Sequence, residues 1–128
     1  GHPDVRYAVR GKPVLNDATK EDANKVGMQK VARVISNGYD APSTLLNRAS
    51  AKFRDVYENA DLIISKGMGN LEGLLDVRNK DIFFLLMIKC QVIGDLIDAK
   101  TGDVVVRRNN FSNKYLKYPV FKNAVNKR

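Results

Sequence analysis

The sequence predicts an α/β fold: a three-layer, Rossmann-like domain with a mostly parallel sheet and helices on both faces. Three observations lead there. Short β-prone runs alternate with helical patterns, the order that successive βαβ units produce. Two of those runs, Leu62-Ile63-Ile64 and residues 82–88, are apolar without alternation, as strands covered on both faces are. Between them Gly67-Met68-Gly69-Asn70 forms a glycine turn where a strand passes into a helix.

Taken in order, residues 5–9 (VRYAV) alternate and read as a first strand, closed by the turn Arg10-Gly11-Lys12-Pro13. Thr19 is a good N-cap for a helix over 20–26, with Glu21 and Asp22 in its first turn and Gly27 after its end. Residues 31–35 give a second strand and residues 36–43 a loop. A helix over 43–59 is expected from the spacing of Leu46, Ala49, Phe53, Val56 and Tyr57, with Asp40 as its cap and Pro42 in its first turn. The strand at 62–64 and its glycine turn follow, then a helical pattern with Leu71, Leu74 and Leu75. Residues 82–88 make a strand, 91–99 a helix and 104–106 a last short strand.

At 128 residues the chain is one domain by size. No apolar run approaches the roughly 20 residues that span a bilayer, and no signal-peptide pattern opens the chain. Residues 1–3 read as a cloning remnant. Cys90 is the only cysteine, which excludes an internal disulfide and favours a reducing, cytoplasmic setting. His2 is the only histidine, which excludes a histidine triad or a His-rich zinc site. The net charge is +8, of which residues 107–128 hold +7 with no acid. Residues 1–106 are therefore expected to be the α/β domain and 107–128 a basic Asn/Lys-rich tail. That tail, with its interleaved aromatics, raises an alternative: a non-enzymatic α/β binding module whose tail contacts nucleic acid.

In parallel sheets ligands bind beyond the carboxyl ends of the strands. The polar residues expected there are Arg10, Asp17, Asp40, Lys66, Asn70 and Lys89. The turn after the third strand combines Lys66 with bare backbone at Gly67 and Gly69, a geometry suited to phosphate. It also reads as a plain tight turn, or as a partial dinucleotide fingerprint. The fingerprint wants an acid about 20 positions on, where this chain has Met87-Ile88-Lys89. Asp17 reads as a solvated turn residue or as a hard oxygen ligand for Mg²⁺. Asp40 reads as a helix cap or as a hydrogen-bond partner for a substrate hydroxyl. Cys90 reads as a small buried hydrophobe.

Four blocks carry a resemblance. They are Val9-Arg10-Gly11-Lys12-Pro13-Val14-Leu15-Asn16-Asp17-Ala18-Thr19, Gly38-Tyr39-Asp40-Ala41-Pro42, Ala60-Asp61-Leu62-Ile63-Ile64-Ser65-Lys66-Gly67-Met68-Gly69-Asn70-Leu71-Glu72, and Phe83-Phe84-Leu85-Leu86-Met87-Ile88-Lys89-Cys90. Together they resemble the damage-control metal-dependent phosphatases, long filed as domain of unknown function eighty-nine, over about residues 4 to 106. The resemblance implies a Rossmann-like fold with a helical N-terminal region. It implies hydrolysis of phosphate esters on small metabolites, often sugar phosphates, with Mg²⁺, Mn²⁺, Co²⁺ or Ni²⁺. It implies Asp17 as a metal-ligating acid and Lys66 as the cation that holds phosphate, both catalytic. Arg10, Asp40, Gly67, Gly69 and Asn70 would complete the substrate and phosphate site. Leu71 stands where the family has an aromatic, and Ser43 where it has glycine. The earlier Asp-Asn-x-Gly-Glu block that supplies the other metal ligands is not in this sequence. The chain therefore resembles the C-terminal part of such an enzyme, expected to be inactive without its N-terminal part.

Overall fold

The computed structural model describes residues 4–110. Backbone contacts divide the chain between Ala60 and Asp61 into two compact units. In the first, β1 (Arg6–Val9) and β2 (Arg33–Ser36) pair in parallel, with Arg6 opposite Arg33 and Val9 opposite Ser36. Parallel neighbours need a crossover, and α1 (Lys20–Lys25) supplies it. Thr19 starts this helix with a reciprocal cap: it receives the Asp22 amide on its hydroxyl and donates its own amide to the Asp22 carboxylate at 2.8 Å. Gly27, at φ 73°, ends the helix and leads into a 3₁₀ turn over Met28–Lys30.

The expected long helix is shorter. α2 runs over Ala51–Glu58 and is capped by Ser50, whose hydroxyl accepts from the Phe53 amide at 3.2 Å. Asp40 is therefore not its cap. The backbone before it is engaged sideways: the Tyr39 hydroxyl donates to the Ser43 carbonyl and accepts from the Leu45 amide. Groups spent on a side chain do not enter an i→i−4 ladder, so the apolar spacing at Leu46 and Ala49 is not realised as helix.

In the second unit, β3 (Ile63–Lys66), β4 (Ile82–Met87) and β5 (Val104–Arg108) form one sheet in the order β3-β4-β5. β3 and β4 are parallel, joined through α3 (Met68–Leu74). β5 returns antiparallel to β4 after α4 (Gln91–Ile97). The fold is thus mixed α/β, with two small sheets among the described residues in place of the single mostly parallel sheet expected.

Two strands expected to be buried on both faces are not. Along β4, Ile82, Phe84 and Leu86 are buried, and Ile88 just beyond it is too, while Met87 is 52% exposed. In β3 Ser65 is buried but Ile64 is 62% exposed. An unbroken apolar run does not by itself report two covered faces. One face is closed by helices: α3 buries Leu71 and Leu74, and α4 buries Ile93, Leu96 and Ile97. Gly94 makes room for the turn that closes α4, since a Cβ there would stand 2.5 Å from the Ala99 carbonyl oxygen. No helix among the described residues is long and apolar enough to cross a membrane.

Candidate functional site

In the first unit the loops leaving β1 and β2 lie side by side at the carboxyl ends of the strands. Asn37, nearly fully buried, joins them. Its side-chain oxygen accepts from the Gly11 backbone amide at 3.0 Å and from the Tyr39 backbone amide at 3.2 Å, and its backbone N–H donates to Val9 O at 2.9 Å. The loops touch so closely that a Cβ on Gly11 would lie 2.5 Å from the Tyr39 nitrogen. Glycine is required there by contact, not by φ.

Arg10 and Asp17 are brought together. Arg10 Nε donates to Asp17 Oδ2 at 2.7 Å, and another guanidinium N–H donates to the Ser43 carbonyl at 2.9 Å. The Arg10 side chain is 8% exposed and that of Asp17 is 35% exposed, so the pair sits at the mouth of the loop with its cation inside. Tyr39 is packed beside them, and burial pushes its phenol above the ordinary value, against the opposing pull of Arg10. Asp40 is exposed, and its carboxylate engages none of the described residues. Leu15, between Arg10 and Asp17 in the chain, is held at φ 49° and is exposed, a costly conformation for a branched side chain.

The second unit holds the remaining expected residues. Lys66 ends β3, with its side chain exposed and its ammonium bonded to none of the described residues. Gly67 follows at φ 89°, a left-handed value that favours glycine, and its amide donates to Leu85 O at 2.9 Å. Gly69 and Asn70 lie in the first turn of α3. The Asn70 side chain donates back to the Lys66 carbonyl at 2.7 Å, closing the turn. A separate depression of about 540 Å³ beside α1 and β2, lined by Lys20, Asn24, Gln29, Ala32, Arg33 and Val34, contains none of the expected residues.

The described residues on their own do not fit a divalent cation. Among them no three acids, histidines or cysteines come together, and one oxygen of Asp17 is already held by a guanidinium. Hard cations such as Mg²⁺ take about six oxygens, so one carboxylate is too few. Arg107 and Arg108 of the basic segment are the last two residues of β5; residues 111–128 lie outside the described residues.

These features define a class: an α/β protein that gathers polar loops at the carboxyl ends of parallel strands. Residues 2–105 match the damage-control phosphatase ARMT1-like domain, and the chain belongs to that family. It is 37% identical over 108 residues to a damage-control phosphatase of Pyrococcus horikoshii, covering 84% of this chain and 38% of that protein. It is 39% identical over 100 residues to a damage-control phosphatase of Archaeoglobus fulgidus, covering 77% of this chain and 35% of that one. An uncharacterized protein of Methanocaldococcus jannaschii is 41% identical over 106 residues, covering 80% of this chain and 35% of its own length. The crystal structure of a family protein from Pyrococcus horikoshii matches with a TM-score of 0.80 at 36% identity, over 84% of this chain and 38% of that chain. The chain thus spans little more than a third of the length of these relatives. The family is generally metal-dependent.

Sequence reading missed Asn37, and Asn109 in the second unit. Asn109 is nearly buried and its amide group donates to Val77 O at 3.0 Å and Lys80 O at 2.7 Å. Both asparagines sit beside turn signals and read as ordinary loop residues. Their partners are remote in the sequence, so no local pattern marks them.

Proposed function

We propose that this chain is the phosphate-binding segment, and part of the metal-binding segment, of a metal-dependent phosphatase acting on small phosphorylated metabolites such as sugar phosphates. The observation that carries the reading is Lys66: an exposed ammonium with no partner among the described residues, at the end of a parallel strand and beside a glycine turn, in a chain of this family. Phosphoryl transfer needs charge compensation on the equatorial oxygens, and a poised lysine supplies it. Asn70 and Gly67 hold the turn that aims Lys66. Asp40, exposed and unengaged among the described residues, is suited to accept a hydrogen bond from a substrate hydroxyl.

Asp17 would be one of several metal-ligating acids. The others would come from an N-terminal part of the same enzyme, which would join these two units in a three-layer Rossmann-like domain. A bound divalent ion would polarise the phosphoryl group and activate water. Arg10 anchors Asp17 through one carboxylate oxygen, and the other would be the metal ligand.

The test is phosphate release from a sugar-phosphate panel by a family-length protein carrying this segment, with Mg²⁺, Mn²⁺, Co²⁺ or Ni²⁺ supplied in turn. Lys66→Ala is expected to lose on the order of a hundredfold in rate with its melting temperature unchanged. Asp17→Asn is expected to lose metal-dependent turnover. Full rates in both variants would refute the assignment.

A further inference from the structure

We infer that Tyr39 is a positioning residue: it fixes Asp40 for a substrate hydroxyl, and the site thereby selects phosphate esters that carry hydroxyls. The inference rests on the phosphatase reading, with Asp40 as the hydroxyl contact. Tyr39 holds the chain on both sides of Asp40. Its backbone N–H donates to the Asn37 side-chain oxygen at 3.2 Å, and its carbonyl accepts from the Gly11 amide at 2.9 Å. The chain therefore enters Asp40 from a residue pinned at both of its backbone groups. The Tyr39 hydroxyl then reaches forward, donating to the Ser43 carbonyl and accepting from the Leu45 amide. Asp40, Ala41 and Pro42 are thus enclosed in a ring that one side chain closes. Pro42 has a fixed φ and gives that ring little slack. Tyr39 is 8% exposed while Asp40 is exposed, so the brace lies inside and the residue it braces outside.

The hydroxyl is what separates Tyr39 from a plain core aromatic. Phenylalanine would fill the same space and bury nearly the same apolar area. A buried tyrosine hydroxyl needs partners, and here both are backbone groups of the loop that carries Asp40. Burial pushes the phenol above its ordinary value, so it stays protonated and donating at neutral pH.

The same brace ties Asp40 to the ion pair. A carbonyl oxygen has two lone pairs, and the Ser43 carbonyl accepts from Arg10 at 2.9 Å as well as from Tyr39. Arg10 Nε in turn holds Asp17 at 2.7 Å. Tyr39 to Ser43, Ser43 to Arg10 and Arg10 to Asp17 are hydrogen bonds in series from the phenol to the Asp17 carboxylate. A backbone held on both sides presents its carboxylate from one place, in a fixed relation to that pair. A hydroxyl of a bound ester can then be matched to it, and an ester without one gains nothing there.

The experiment compares two esters in the family-length protein carrying this segment: glucose 6-phosphate, which bears hydroxyls, and phenyl phosphate, which has none. Asp40→Ala is expected to lower kcat/KM for glucose 6-phosphate about tenfold, mostly through KM, and to leave phenyl phosphate within about twofold. Tyr39→Phe is expected to show the same pattern at about fivefold, and the double variant to be no worse than Asp40→Ala alone. Equal losses on both esters in Tyr39→Phe would overturn the inference, because a merely structural tyrosine acts on both alike. So would an unchanged ratio in Tyr39→Phe, or additive losses in the double variant. An unchanged ratio in Asp40→Ala would overturn it too, while phosphate release by that variant leaves the phosphatase reading standing. Release from neither ester by the unsubstituted protein, with any of the divalent ions, sinks that reading and the inference with it. If Tyr39→Phe does not fold, amide exchange in the unsubstituted protein decides. Excess glucose 6-phosphate is expected to slow exchange at the Leu45 amide about tenfold relative to inorganic phosphate. Equal exchange with the two would overturn the inference.

Discussion

Replacing Asp17 separates its structural work from any work in a metal site. Arg10 Nε and Asp17 Oδ2 are 2.7 Å apart, with the Arg10 side chain 8% exposed and that of Asp17 35% exposed. Two unit charges about 4 Å apart attract by roughly 4 kcal/mol at an effective dielectric of 20 and by roughly 1 kcal/mol in water. The third of Asp17 that faces solvent pulls the value toward the lower figure. Removing the carboxylate also leaves a buried guanidinium N–H without its acceptor, a loss of about 1.5–3 kcal/mol for a charged group. Asp17→Ala is therefore expected to destabilise the chain by about 2–3 kcal/mol. Asp17→Asn keeps an acceptor and loses only the charge, so about 1 kcal/mol is expected. The assay is urea denaturation of the 128-residue chain with no divalent ion, reading the midpoint at constant m. A loss below about 0.5 kcal/mol in Asp17→Ala would refute the reasoning, because Arg10 would then need no partner. If Asp17→Asn in a family-length protein abolishes turnover, a stability loss of about 1 kcal/mol cannot account for it, and the remainder belongs to chemistry.

Asn109→Ala is expected to cost about 2–3 kcal/mol in the same assay, since it removes the buried side-chain donor to the Val77 and Lys80 carbonyls and the side-chain acceptor of the Ile82 amide. Gly11→Ala is expected to lower stability by more than about 2 kcal/mol and to perturb the Tyr39 amide in heteronuclear spectra, because its Cβ meets backbone atoms that cannot rotate away. The Asp22 carboxyl is held below the ordinary carboxylate range, first by the Thr19 backbone N–H and then by its hydroxyl. A depressed folded value means the cap contributes above the unfolded value and is lost as pH falls through the folded one. Melting curves of the parent chain and Asp22→Asn are therefore expected to differ at neutral pH and converge in acid below the usual carboxylate range. A difference that persists there would refute the cap as the cause.

The α/β order was legible because it rests on local signals. Thr19, Asp22 and Gly27 delimit α1 within nine residues, and the structure follows them. The start of α2 was not legible: the helical spacing at Leu46 and Ala49 is real, but Tyr39 claims the backbone of Ser43 and Leu45 from outside the segment. The apolar run in β4 could not say how many of its faces are covered, since that depends on what lies opposite. Arg10 and Asp17 were each singled out as polar residues at a strand end; their pairing depends on how the intervening loop folds back. Asn37 and Asn109 escaped notice for the same reason.

The Asn37 clasp has a consequence for how the two loops order. One amide oxygen accepts from the loop that bears Asp17 and from the loop that bears Asp40. The two loops cannot order independently while that oxygen serves both. A ligand that stiffens either one finds the other already stiffened, so the conformational entropy of the pair is lost once. Asn37→Ala would uncouple them, leaving the loop that bears Asp17 and the loop that bears Asp40 to order independently.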